Sequence, residues 1–271
     1  MPKVRISFVV IFVFAVYAIT MLISCYSPTE GCLDPESTNY SITGDNDCED
    51  CCKYPVFKLS IFHESKDTTF KLGDLITNDL GHSVSVVDFV YLLSDFKITS
   101  VDDSFEVIDS ISLNVIDGVE LVKDDVIRVT RDVFNYDVGT IIFDGNTSEL
   151  SFKVGLNELI NENRFTTDID NHPLTNDPDS LFQSDSGTYV LQRIKLAQFH
   201  NFLDTLVYDI NTTVEVSFPL VFESIRGSDK TIIIEAQYDQ WFEGIDFGFS
   251  TKVDVEKAII ENTSKVFRQK E

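Results

Sequence analysis

Basic residues are scarce in this 271-residue chain: 21 Lys and Arg stand against 45 Asp and Glu, a formal net charge of -24. A body so acidic repels nucleic-acid phosphates, which excludes a nucleic-acid partner. Tryptophan occurs once, at Trp241, and histidine four times. Methionine is confined to Met1 and Met21, and no cysteine follows Cys52. Glycine-rich phosphate loops are absent, and so is the strand-turn-helix nucleophile elbow of serine hydrolases. Ser, His and Asp are therefore present without a motif that assembles them, and no enzymatic activity is expected. What the chain does have is 43% hydrophobic residues with 24% charged, the makings of a packed globular body.

The first residues combine Lys3 and Arg5 with an apolar run from Ile6 to Ile23, a positive region followed by a hydrophobic one, as in a secretory signal. The run is close to the length that spans a bilayer. It ends in Leu22-Ile23-Ser24-Cys25, which resembles a bacterial lipobox, and a polar, cysteine-rich segment follows. We therefore expect residues 1–24 to be a lipoprotein signal peptide and Cys25 to carry a lipid. The localisation implied is an outer-membrane lipoprotein on the periplasmic or cell-surface side, its membrane contact made by the amino-terminal lipid. Cys32, Cys48, Cys51 and Cys52 remain, an even set in an oxidising compartment, and are expected to form disulfides. Adjacent Cys51 and Cys52 are too constrained to pair easily, so each is expected to join Cys32 or Cys48. The rival is zinc on Cys48-Glu49-Asp50-Cys51, but no histidine lies nearby.

Residues 25–55 then form a linker and cysteine-rich module. Gly31-Cys32-Leu33-Asp34-Pro35 to Asn39-Tyr40, followed by Cys48 and Cys51-Cys52-Lys53-Tyr54, looks like short modules at the start of exported Bacteroidetes proteins. So few residues cannot bury a core and need staples. From Val56 the text becomes short runs of Val, Ile, Phe and Thr broken by Asp, Asn, Gly and Ser. Strands are expected over 56–63, part of 84–98, 105–116, 119–130, 139–143, 148–154, 188–196, 213–223, 230–237 and 245–251. One helical turn is expected at 156–161 and a terminal helix over 254–267. The fold class is all-β: residues 56–271 form an antiparallel β-sandwich behind a disulfide-stapled segment, closed by a C-terminal helix. The polar stretch 164–187 is too long for an idle connection and is a candidate functional loop.

Several pieces of the β region follow a recognisable order: Ile61-Phe62-His63, Asn78-Asp79-Leu80-Gly81, Val90-Tyr91-Leu92-Leu93-Ser94-Asp95-Phe96, Val138-Gly139-Thr140-Ile141-Ile142-Phe143, Phe152-Lys153-Val154-Gly155-Leu156, His172-Pro173-Leu174 and Ser186-Gly187-Thr188-Tyr189. Together they resemble the MbnP family of methanobactin-associated, copper-binding exported proteins, in particular its Bacteroidetes lipoproteins. The resemblance implies a β-sandwich binding one copper ion through histidine and an oxidised tryptophan made by a di-haem partner enzyme. That tryptophan segment falls here on Ser180-Leu181-Phe182-Gln183-Ser184-Asp185, which holds no indole, and Trp241 belongs to a different element.

Any copper site must then rest on imidazole, since a methionine site is excluded and the cysteines are expected to be oxidised. Phe57, Leu59, Ile61 and His63 share one strand face by the two-residue period. His172 lies in the candidate loop, with Asp170 and Asp177 near it in sequence. His63 and His172 are the candidate metal ligands; His82 and His200 are expected at the surface. Two ligands on one ion require their rings within about 5 Å. The alternative is a glycan- or protein-binding module without metal, which an exposed patch of Trp241 and tyrosines would favour.

Overall fold

The computed structural model describes residues 27–48, 50–115, 118–163, 172–175, 179–198 and 201–270. The expected signal peptide, residues 1–24, and Cys25, Asp170, Asp177 and His200 lie outside them. The chain divides into two compact units, one formed by residues up to Asp34 with Tyr40–Cys52, the other by Pro35–Asn39 with Lys53–Glu271.

In the first unit, β1 (Glu30–Gly31) pairs in parallel with β2 (Asn46–Asp47). Two residues per strand cannot hold a fold, and covalent bonds do so instead. Cys32 joins Cys52 and Cys48 joins Cys51, with Cα separations of 5.0 and 5.6 Å. Neighbouring Cys51 and Cys52 thus take separate partners, as expected.

The second unit begins with β3 (Val56–Ser65), β4 (Thr68–Thr69), β5 (Leu75–Thr77), β6 (Ser83–Thr99) and β7 (Ser104–Glu106). It continues with β8 (Ser110–Val115), β9 (Gly118–Lys123), β10 (Ile127–Thr130), β11 (Asn135–Thr140), β12 (Gly145–Asn146), β13 (Glu149–Val154) and α1 (Glu158–Asn161). Then come β14 (Phe182–Gln183), β15 (Thr188–Tyr189), β16 (Gln192–Gln198), β17 (Asn201–Ile210), β18 (Val214–Pro219), β19 (Glu223–Ser224) and β20 (Lys230–Gln237). A 3-10 turn (Gln240–Phe242), α2 (Lys252–Thr263) and β21 (Phe267–Gln269) close it.

The larger sheet runs β17-β16-β6-β13-β18, with β5, β7 and β10 also pairing with the long β6. All its pairings are antiparallel. The smaller runs β11-β3-β20-β21, with β4 on β3. Here β3 and β20 run parallel, Phe57 opposite Lys230 through Glu64 opposite Gln237, the one departure from antiparallel pairing within these two sheets. Alternation sets which side chains enter the core: Phe57, Leu59 and Ile61 from β3 meet Phe89, Tyr91 and Leu93 from β6. β6 is buried on both faces, because Val90 and Leu92 pack beneath Leu113, Val122, Ile160 and Leu191.

Several expected elements differ: 188–196 divides into β15 and β16, 213–223 into β18 and β19, and the strand expected at 139–143 is β11 at Asn135–Thr140. The run 119–130 breaks into β9 and β10, because Asp124 and Asp125 serve as side-chain anchors instead of ladder residues. Likewise 105–116 splits into β7 and β8. Residues 245–251 are turns, in which Asp246 accepts from the backbone N–H of Phe249 and Ser250 and, through Oδ1, from Gly248. The helix starts at a Thr251–Asp254 capping box and stops at Thr263, so that Phe267 becomes strand. β17 falls in a stretch that reads as a connection, yet it pairs along β16 from Gln192–Ile210 onward.

Candidate functional site: the buried histidine and its surroundings

The period-2 row on β3 delivers His63 into the core, 1% exposed. Its Nε2 lies 3.2 Å from the carbonyl of Val133 and its Nδ1 2.9 Å from the Tyr238 hydroxyl. A carbonyl only accepts, so Nε2 carries the proton and Nδ1 accepts from Tyr238. Tyr238 follows the end of β20, the parallel partner of β3, and this pairing brings the two residues together. Phe134 meets the imidazole edge-on at 5.7 Å, and Tyr91 lies beyond Tyr238. Desolvation pushes His63 down from 6.5 to about 4, an effect the Val133 hydrogen bond partly offsets. Burial raises Tyr238 and Tyr91 well above the ordinary phenol range. The ring is thus neutral, with both nitrogens committed.

His172 occupies different surroundings. It is 6% exposed; the backbone N–H of Leu174 donates to its Nδ1 at 3.2 Å, and Nε2 faces Asp124 Oδ1 at 3.3 Å. Nearby Leu174 belongs to the smaller hydrophobic cluster beneath Val90 and Leu92, whereas the row leading to His63 belongs to the main core. The structure therefore gives the two histidines separate sets of partners. His82 sits partly exposed, 3.2 Å from Asp246.

Imidazole binds a metal through the lone pair of one nitrogen while the other nitrogen keeps its hydrogen. At His63 the available lone pair is occupied by a phenol and the N–H by a carbonyl, so this residue does not fit copper as it stands. At His172, ligation through Nε2 would place a proton on Nδ1, against the Leu174 N–H. Among the described residues, the group of three potential ligand atoms brought within 4.8 Å comprises Asp47, Cys48 and Cys52, and both cysteines are bridged.

Trp241 is wholly buried, donating Nε1–H to Thr263 Oγ1 at 3.2 Å and packed against Phe89, Tyr91, Tyr238 and Phe267. It forms no exposed platform. A charged groove does occur on the larger sheet, lined by Asp95, Lys97, Glu106, Lys123, Lys153 and Glu215 among others. Asp95, within β6, has φ of +55°, pairs with Lys153 at 2.8 Å, and precedes Phe96, whose N–H donates to the buried Asp125 carboxylate at 2.9 Å. Sequence reasoning passed over this cluster; its signal was the Asp124-Asp125 pair inside an apolar run.

The MbnP family model matches residues 54–261 of this chain. Among solved structures, MbnP from Methylosinus trichosporium is similar, with 11% sequence identity and a TM-score of 0.40 over 68% of this chain and 76% of the other. No curated protein matches it.

Proposed function

The chain belongs to the MbnP family, and from that premise we propose that it is an exported, lipid-anchored binding protein, not an enzyme, in which His63 supports the core and no copper is shared between His63 and His172. The observation that carries this reading is the double engagement of His63, by Tyr238 on one nitrogen and Val133 on the other. The protein resides in the outer membrane through Cys25, facing the periplasm or the exterior. Its recognition surface is a protein- or glycan-binding face of the sandwich. Trp241, enclosed by aromatic rings, offers a di-haem enzyme no accessible indole to oxidise.

Elemental analysis of protein purified from its native compartment tests the metal part, compared with a His63→Ala, His172→Ala variant. Copper well below one equivalent in both supports the reading. Stoichiometric copper that disappears in the variant overturns it. The anchoring part is tested by Cys25→Ser, which is expected to shift the protein from the membrane to the soluble fraction.

A further inference from the structure

The stapled amino-terminal unit places two disulfides in contact. Cys48–Cys51 closes a loop of sequence separation 3, and both residues are half-buried. Cys32–Cys52 closes a separation of 20 and is shielded on one side, Cys32 being 1% exposed. The Sγ atoms of Cys48 and Cys52 lie within 4.8 Å of each other, together with a carboxylate oxygen of Asp47. A bridge between two half-buried cysteines thus has one sulfur beside the half-buried Cys52 sulfur of the bridge that holds buried Cys32.

We infer that these four cysteines form an intramolecular thiol–disulfide relay whose external reactant is a dithiol. In the first step the dithiol gives two electrons and two protons to Cys48–Cys51; it leaves as a disulfide, and Cys48 and Cys51 become thiols. In the second, the Cys48 thiolate attacks Cys52 Sγ, the Cys48–Cys52 bond forms, and the Cys52–Cys32 bond breaks. Cys32 leaves as a thiolate and takes up the proton Cys48 released, so this step is redox-neutral. Exchange requires an attacking thiolate with access to a sulfur of the target bridge, and the contact provides that access. Cys51 is the wrong nucleophile toward Cys52, because Cα atoms of adjacent residues are held about 3.8 Å apart, below the usual range for a disulfide. Reduction arriving at Cys48–Cys51 therefore reaches Cys32, itself 1% exposed, by way of its half-buried partner Cys52.

The experiment treats the full mature chain with limiting dithiothreitol, quenches with N-ethylmaleimide, and maps labelled cysteines by peptide mass. In the species carrying two thiols, label is expected on Cys32 and Cys51. Label on Cys48 and Cys51, with Cys32–Cys52 intact, overturns the relay. In Cys48→Ser, labelling of Cys32 is expected to slow by roughly tenfold or more, since the internal nucleophile is lost; an unchanged rate overturns it. In Cys51→Ser, Cys48 is free without any reductant, and chains linked Cys48–Cys52 with Cys32 free are expected. Finding Cys32–Cys52 alone in that variant also counts against the relay.

Discussion

Burial displaces His63 and Asp125 in opposite senses. His63 falls from 6.5 to about 4, chiefly by desolvation. Asp125 rises from 3.8 to about 6, again chiefly by desolvation, with backbone hydrogen bonds and Lys123 pulling it back. Below pH 6.5 the unfolded chain protonates its histidine while folded His63 stays neutral, so this residue removes stability as pH falls toward 4. Asp125 does the reverse: between pH 6 and 3.8 its folded carboxyl binds a proton that the unfolded one does not, and stability is gained. Each shift corresponds to about 3 kcal/mol, and in the wild type the two largely cancel. Urea unfolding at pH 7 and pH 4 checks this. On acidification Asp125→Asn should lose about 3 kcal/mol more than wild type, and His63→Gln about 3 kcal/mol less. Equal losses in all three proteins would contradict the assignment. The inward position of His63 was legible from Phe57, Leu59 and Ile61. Its partner Tyr238 was not, because it lies 175 residues away and arrives only through sheet pairing.

Elements carry their own instructions where local chemistry decides the outcome. The Thr251 side chain accepts from the Asp254 backbone while the Asp254 carboxylate accepts from Thr251 N–H, satisfying donors that the first turn of α2 leaves open. Thr251→Ala should cost about 1 kcal/mol, read from the urea midpoint. Where tertiary demands decide, periodicity misleads. Ile245, Phe247 and Phe249 alternate as a strand would, yet Asp246 captures the local backbone N–H groups and makes turns. The chain also bulges between Asp137 and Gly139, where Gly139 adopts φ of +146° and an added Cβ would come 2.5 Å from Val107. Trp241 closes the corner between β20 and α2. Trp241→Ala should therefore destabilise by about 3–5 kcal/mol. As the single indole, Trp241 should emit at short wavelength in the native state and shift red on unfolding; native emission typical of a water-exposed indole would contradict its placement.

For the molecule as a whole, the charge of -24 works against compactness through self-repulsion. Salt shortens the screening length to about 3 Å near 1 M, so the urea midpoint should rise with added NaCl. A midpoint independent of salt would mean that paired charges, such as Asp95 with Lys153, already neutralise the effect locally. The all-β class was readable because Val, Ile and Phe runs recur between turn residues. The parallel joining of β3 to β20 was not, since each strand reads the same whichever neighbour it meets.

That joining has a bearing on how the chain reaches its final state. Val56 to Ser65 must wait for residues 230 to 237 before one of its edges is matched, so a polypeptide emerging amino end first cannot finish the smaller sheet until nearly all of it has been delivered. Closure of the smaller sheet is then a late event, which follows delivery of Lys230 to Gln237 however early Val56 to Ser65 emerges.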